Sequence, residues 1–265
     1  MRVAKRKATA KADERSALAH RSPGPAPRLF VVMAAEAPVA VVIRRGPASW
    51  AHLTLWSTDD DAFTEGAWFR GRIFADKCDL SPDGHLFVYA AFKGSRLETS
   101  FTDSWTAVSR PPWLHALALW PMGTTYGGGG RFTADRRLIL RGAGPAHADH
   151  PARGLEIVEG SADYHRSTEE IEGAEWTGRD QRNRLVFATR GCIFVRAGGE
   201  DRLLADFNAQ APNPAPPPRW ALEPLPIGPV SLSSRVSTST LKGARGARGR
   251  PARSRSRRRR RRGSR

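Results

Sequence analysis

The stretch Cys78 to Ala91, CDLSPDGHLFVYAA, sets a Ser-Pro-Asp-Gly turn directly before an alternating apolar run. Pro82 presets φ for the first corner of a type I turn, Asp83 offers a carboxylate to nearby backbone amides, and Gly84 takes the left-handed position that follows. Leu86, Val88 and Ala90 then alternate with Phe87, Tyr89 and Ala91, so neither face is polar. Such a strand is expected to be buried on both sides.

Weaker versions of the unit recur. Phe132 to Gly142 reads FTADRRLILRG and Trp176 to Gly191 reads WTGRDQRNRLVFATRG, while an earlier strand, LFVVMA, starts at Leu29. The strand-opening residues Phe30, Leu80, Phe132 and Trp176 lie 50, 52 and 44 residues apart, close to the ~40 to 50 of propeller-type repeats. Each unit has a second strand, ending at Trp56, Trp120, Gly160 and Gly199. Turn residues usually follow, as a meander of short antiparallel strands requires. The best helix candidates, ALAH in the N-terminal tail and STEEIEGAEW (Ser167 to Trp176), are both short.

The unit of aromatic, SPDG, apolar strand and second strand resembles the blade repeat of TolB-like and WD-repeat-like β-propellers over about residues 28 to 210. IRRGP (Ile43 to Pro47), WFRGRI (Trp68 to Ile73), CDLSPDG, TAVSRPPWLHALALWPMG (Thr106 to Gly123), YGGGGRF (Tyr126 to Phe132) and LADFN (Leu204 to Asn208) are similar, more narrowly, to a group of bacterial proteins without an assigned function. The resemblance implies a fold and no activity. It is irregular in its third unit, which contains the loop GPAHADHPARG, and four units is the lower limit for closing a ring. A partial propeller completed by another subunit or an extra strand is the alternative.

The net charge of +17 is unevenly spread. Residues 235 to 265 hold 13 Arg, one Lys and no acid, residues 1 to 21 carry +5, and the remaining middle is −2. Tails built of Arg, Lys, Ala, Gly, Ser and Thr bury little apolar surface and are expected to be disordered. The Arg-rich run has the chemistry to bind nucleic acid or an anionic surface without sequence readout, although a solvated tail without a dedicated partner is the simpler reading. Cys78 and Cys192 lack metal or redox spacing and read as free thiols in a reducing compartment. No apolar run approaches the ~20 residues of a membrane helix. A soluble cytoplasmic protein is expected, with translation starting at Met1 or Met33.

The run Gly127 to Gly130 invites a phosphate-cradle reading. It lacks the Lys-Ser/Thr of a Walker motif, so a tight turn between strands is the better account. His147, Asp149 and His150, with His165, carry metal-ligating types, but the flanking Gly144, Pro145 and Pro151 mark an exposed loop. Asp59, Asp60 and Asp61 read as a solvated hairpin turn, and no nucleophile elbow is present. No cofactor, metal or catalytic set is therefore assigned. The eight tryptophans lie mostly at strand ends and are expected to fill space between blades, their N–H groups satisfied at the rim. Trp105, Arg110, Trp113 and Tyr126 share one turn-rich interval and are the candidate binding residues, because Arg and aromatics anchor binding surfaces.

These readings combine into an all-β, propeller-like domain over 28–222 with about four blade-like antiparallel repeats. A basic extension (1–27) precedes it and an Arg-rich tail (223–265) follows. The Pro-rich segment 211–222 closes the domain, with Trp220 and Leu222 as its anchor. The expected role is a non-enzymatic binding module for a protein partner, monomeric or homodimeric. The alternatives are a small-molecule enzyme using loop His and Asp residues, and a nucleic-acid-associated protein binding through residues 235–265.

Overall fold

A computed structural model describes residues 25–46, 49–94, 102–158, 160 and 170–227. The basic extension up to residue 24, His165 and the run 228–265 lie outside those residues, as does ALAH. The described chain is nearly all β, in four sheets that follow one another along the sequence. The first is the meander β1 (Arg28–Met33), β2 (Val39–Arg45), β3 (Trp50–Ser57) and β4 (Ala62–Arg70). In the second, β5 (Arg72–Ile73) and β6 (Asp79–Leu80) share one edge of β7 (Phe87–Phe92), and β8 (Ser104–Ser109) and β9 (Ala118–Pro121) follow. The third contains β10 (Gly130–Ala134), β11 (Arg137–Leu140) and β12 (Glu156–Val158). The fourth is the meander β13 (Trp176–Arg179), β14 (Leu185–Thr189), β15 (Cys192–Ala197) and β16 (Glu200–Asp206).

The SPDG turn forms as its residues require. The Gly84 amide donates to the Ser81 carbonyl (2.8 Å), Asp83 Oδ1 accepts from the His85 amide (3.0 Å), and Gly84 sits at φ +75°. The strand behind it is buried on both sides: Phe87, Tyr89 and Ala91 pack toward the first sheet, Leu86 and Val88 toward the third. The four residues that set the repeat spacing fall in β1, β6, β10 and β13. Those strands are neighbours in space, β1 lying against β6 and β13, and β6 against β10.

Three junctions between sheets carry apolar cores. One joins the first and second sheets through Val41, Ile43, Leu53, Ile73 and Phe87. Another joins the first and fourth through Leu29, Val42, Trp56, Val186 and Ile193. The last joins the second and third through Val88, Val108, Trp120, Phe132 and Leu138. Each such side chain contributes about 1.5–3 kcal/mol on burial. Among the described residues no cluster of this kind joins the third sheet to the fourth.

Several expectations are corrected. In the third sheet β12 runs parallel to β11, with Leu138 opposite Ile157. The connection over 141–155 provides the crossover of about a dozen residues that parallel pairing needs. The described part of STEEIEGAEW is a turn rather than a helix, because Gly173 takes φ +75° there and Trp176 already begins β13. A four-residue helix, α1 (Arg219–Leu222), instead follows the proline run. Its Trp220 and Leu222 are not the anchor, being 46% and 41% exposed, whereas Ala221 and Leu225 are buried. The indole N–H of Trp56 lies buried without a partner rather than satisfied at a rim.

The segment after β16 laces the sheets together. Arg44, buried, donates from Nε to the Phe207 carbonyl (3.0 Å) and from Nη2 to that of Gln210 (2.9 Å). The Gln210 side chain meets His52 Nδ1 (3.2 Å) and donates to Glu65 (3.0 Å). Further on, the Pro226 carbonyl accepts from Arg136 (2.8 Å) and Leu225 joins the second-to-third core.

Candidate functional site

Strand direction sorts the loops to two ends. The SPDG turn, the β3–β4 hairpin and the β13–β14 hairpin gather at one end, joined by hydrogen bonds such as Thr58 Oγ1 to Gln181 Oε1 (2.8 Å). There Asp61 pairs with Arg184 (2.7 Å), which also holds Asp180 (2.5 Å). The guanidinium hydrogen-bonded to Asp61 is the main reason its carboxyl is held down at about 2. The expected solvated hairpin is thus corrected for Asp61, which clasps the fourth sheet to the first.

The opposite end holds a cleft of about 680 Å³ between the first two sheets. Arg45 ends β2, Arg70 ends β4, Arg72 opens β5 and Lys93 follows β7, and all four line it. Strand alternation explains the convergence. Arg45 continues the series Val41, Ile43 on the face toward the second sheet, and Lys93 continues Phe87, Tyr89, Ala91 on the face toward the first. Ala51 and Ile73, both buried, form the apolar floor.

No side-chain hydrogen bond or ion pair engages these four cations among the described residues. Aromatic faces hold two of them instead: the Arg45 guanidinium lies 5.9 Å from the Phe30 centroid and that of Arg72 lies 4.7 Å from the Phe74 centroid. Arg28 shares the Phe30 ring at 5.6 Å. Desolvation, then repulsion from Arg72 and Arg28, lowers the Arg45 pKa, with Asp76 as an opposing carboxylate. A guanidinium seated over an aromatic ring and not hydrogen-bonded to protein keeps its donors available, and those donors suit oxyanions. Comparison of the chain with models of protein families, with curated proteins and with solved structures finds no match.

The four sequence candidates do not form one patch. Trp105 is the second residue of β8 and Arg110 follows its end, so at about 3.4 Å per residue they stand roughly 17 Å apart along the strand. Trp105 packs edge-on against Phe69 at the cleft end (centroids 6.0 Å). Tyr126 lies toward that end too and is 93% exposed. Arg110 and Trp113 lie at the turn end, where Arg110 donates to the Glu223 carbonyl and its own carbonyl accepts from the Trp113 amide (3.0 Å).

The glycine run forms a turn around a cation. Lys77 Nζ donates to the carbonyls of Thr125 (2.6 Å), Tyr126 (3.1 Å) and Gly127 (2.8 Å). The Gly128 and Gly129 amides are already engaged by the Arg141 carbonyl and Thr106 Oγ1. Carbonyls therefore converge where a phosphate cradle needs N–H groups. Gly129 has φ +80°, and a Cβ there would stand 2.2 Å from the Lys77 carbonyl oxygen.

In the loop that follows β11, His147 and His150 approach each other (6.1 Å between centroids), and His115 lies 6.4 Å from His150. His150 Nδ1 is 2.9 Å from the Ala116 carbonyl, and the Asp149 amide donates to His147 Nδ1 (3.2 Å). Among the described residues no group of three or more His, Cys, Asp or Glu is arranged to hold a metal. Both cysteines are free, and no described helix is long and apolar enough to cross a membrane.

Arg45, Arg70, Arg72 and Lys93 were missed by sequence reasoning. The signal for the three arginines lies in IRRGP and WFRGRI, where β2 ends in Arg-Arg and β4 passes into β5 through Arg-Gly-Arg with no acid adjacent, while Lys93 lies outside both strings.

Proposed function

We propose that this chain is a non-enzymatic binding module in which an incomplete propeller-like set of four sheets holds strand ends rigidly, and the cleft between the first two sheets takes an anionic ligand. The observation that carries the reading is the convergence of Arg45, Arg70, Arg72 and Lys93 on one cleft, with no side-chain hydrogen bond or ion pair to any of them among the described residues. Its volume falls within the roughly 300–1,000 Å³ typical of ligand sites. Like charges gathered with Asp76 as their one opposing carboxylate among the described residues cost folding energy, which points to a bound anion as their partner. The binding face expected around Trp105, Arg110, Trp113 and Tyr126 shifts to the cleft end, where Trp105 and Tyr126 lie.

Calorimetric titration of the full chain with citrate, beside the double variant Arg45→Gln/Lys93→Gln, tests this. Citrate affinity is expected to fall about tenfold or more in the variant, and in the wild type to weaken with salt. Equal affinity in both proteins would place the anion elsewhere and overturn the reading.

A further inference from the structure

Resting on the anion-binding reading of this cleft, we infer that its ligand is an oligophosphate: a chain of two or more linked phosphates, free or carried on a nucleoside. Charge count comes first. Among the described residues, four cations opposed by Asp76 leave a net +3, and Arg28 beside Arg45 raises it to +4. One phosphate monoester supplies roughly −1.5 to −2 at neutral pH, about half of what the cleft leaves open. Two or three linked phosphates match it.

Donor geometry points the same way. Arg45 and Arg72 rest on separate rings, Phe30 and Phe74, and project from different sheets. Their donor forks therefore approach the cleft from two sides, with Lys93 as a point charge. A carboxylate offers two oxygens in one plane and satisfies one fork. A phosphate chain offers oxygens all along its length and satisfies several forks at once. Volume agrees, since about 680 Å³ is several times the space of one inorganic phosphate. Gly94, after Lys93, lines the cleft without a side chain, so ligand oxygens reach backbone there, whereas the Gly71 amide is already donated to the Ser49 carbonyl (2.7 Å).

The experiment titrates the full chain with tripolyphosphate, ATP and inorganic phosphate, and follows backbone hydrogen exchange at Gly71–Ile73 and Lys93–Gly94. Tripolyphosphate is expected to bind at least tenfold more tightly than inorganic phosphate and to slow exchange at those amides. In Arg45→Gln/Lys93→Gln both effects disappear. Because the removed charges repel their neighbours, that variant is expected to unfold at no lower temperature than the wild type in low salt. Arg70→Gln/Arg72→Gln carries the same expectation if the first pair fails to fold.

Equal affinity for ATP and tripolyphosphate supports the proposal with the phosphate chain itself as ligand. Tighter ATP binding supports it with a nucleoside-borne chain. Inorganic phosphate binding as tightly as tripolyphosphate overturns it. Tripolyphosphate binding that is unchanged in the variants overturns it as well, because the anion then sits elsewhere on this basic chain. If citrate binding depends on the cleft and tripolyphosphate binding does not, the oligophosphate fails while the anion site stands. If neither depends on it, both readings fail.

Discussion

Asp61 shows how one side chain joins two sheets. It turns the corner between β3 and β4 at φ +57°, a conformation that Asp and Asn tolerate better than other residues. From there it reaches Arg184, Arg182 and Arg202 around the fourth sheet. Its carboxyl is held down at about 2, against the usual 3.8, chiefly by the hydrogen-bonded Arg184. A depressed carboxylate contributes stability that is fully present above its unfolded pKa and is lost as pH falls through the folded one. The window is thus about pH 4 down to about pH 2. Asp61→Asn keeps the backbone geometry and removes only the charge. The variant is expected to be less stable by about 1 kcal/mol at neutral pH, and its urea midpoint should change less than that of the wild type between pH 4 and pH 2. Parallel pH profiles for the two proteins would contradict the clasp.

The closing segment is where sequence and structure part most clearly, and residue size is the reason. Trp220 is the largest apolar group near the end of the described chain and was the expected anchor, yet it is half exposed while Leu225 is 7% exposed within the second-to-third core. Neither periodicity nor turn chemistry marks which face of a four-residue helix meets the sheets. Leu225→Ala is expected to cost about 2–4 kcal/mol, the ordinary penalty of a core truncation. Trp220→Ala should cost under about 1 kcal/mol although more atoms are removed. Urea unfolding decides, and a larger loss for Trp220→Ala would restore the indole as the anchor. The repeated strands were legible because β1, β6, β10 and β13 each carry a large apolar residue, Phe30, Leu80, Phe132 and Trp176, at nearly constant spacing, and β7 was legible because its two faces alternate without a polar break. The parallel β12 was not legible, since direction depends on where a long loop delivers the chain. The cleft was half legible. Its arginines stand plainly in IRRGP and WFRGRI, but their convergence depends on β2 and β5 lying across one junction from each other.

Across the whole described chain, cohesion is unequal. The first sheet has an apolar core on each face, one toward the second sheet and one toward the fourth. The third sheet has one, toward the second, reinforced by Leu225 and by the bond from Arg136 to the Pro226 carbonyl. Local opening free energy follows buried apolar contact, so the third sheet should open without the rest. Hydrogen exchange under native conditions reads this directly. Amides of β11 bonded within the sheet are expected to exchange through an opening that costs measurably less than global unfolding, while those of β2 exchange only with the whole molecule. Leu225→Ala should widen the gap by lowering the β11 opening energy further, and Asp61→Asn, which acts on the first-to-fourth junction, should leave β11 unchanged relative to β2. Equal opening energies for β2 and β11 would mean that the junction between the third and fourth sheets is as cohesive as the other three, and that the sheets unfold as a closed set.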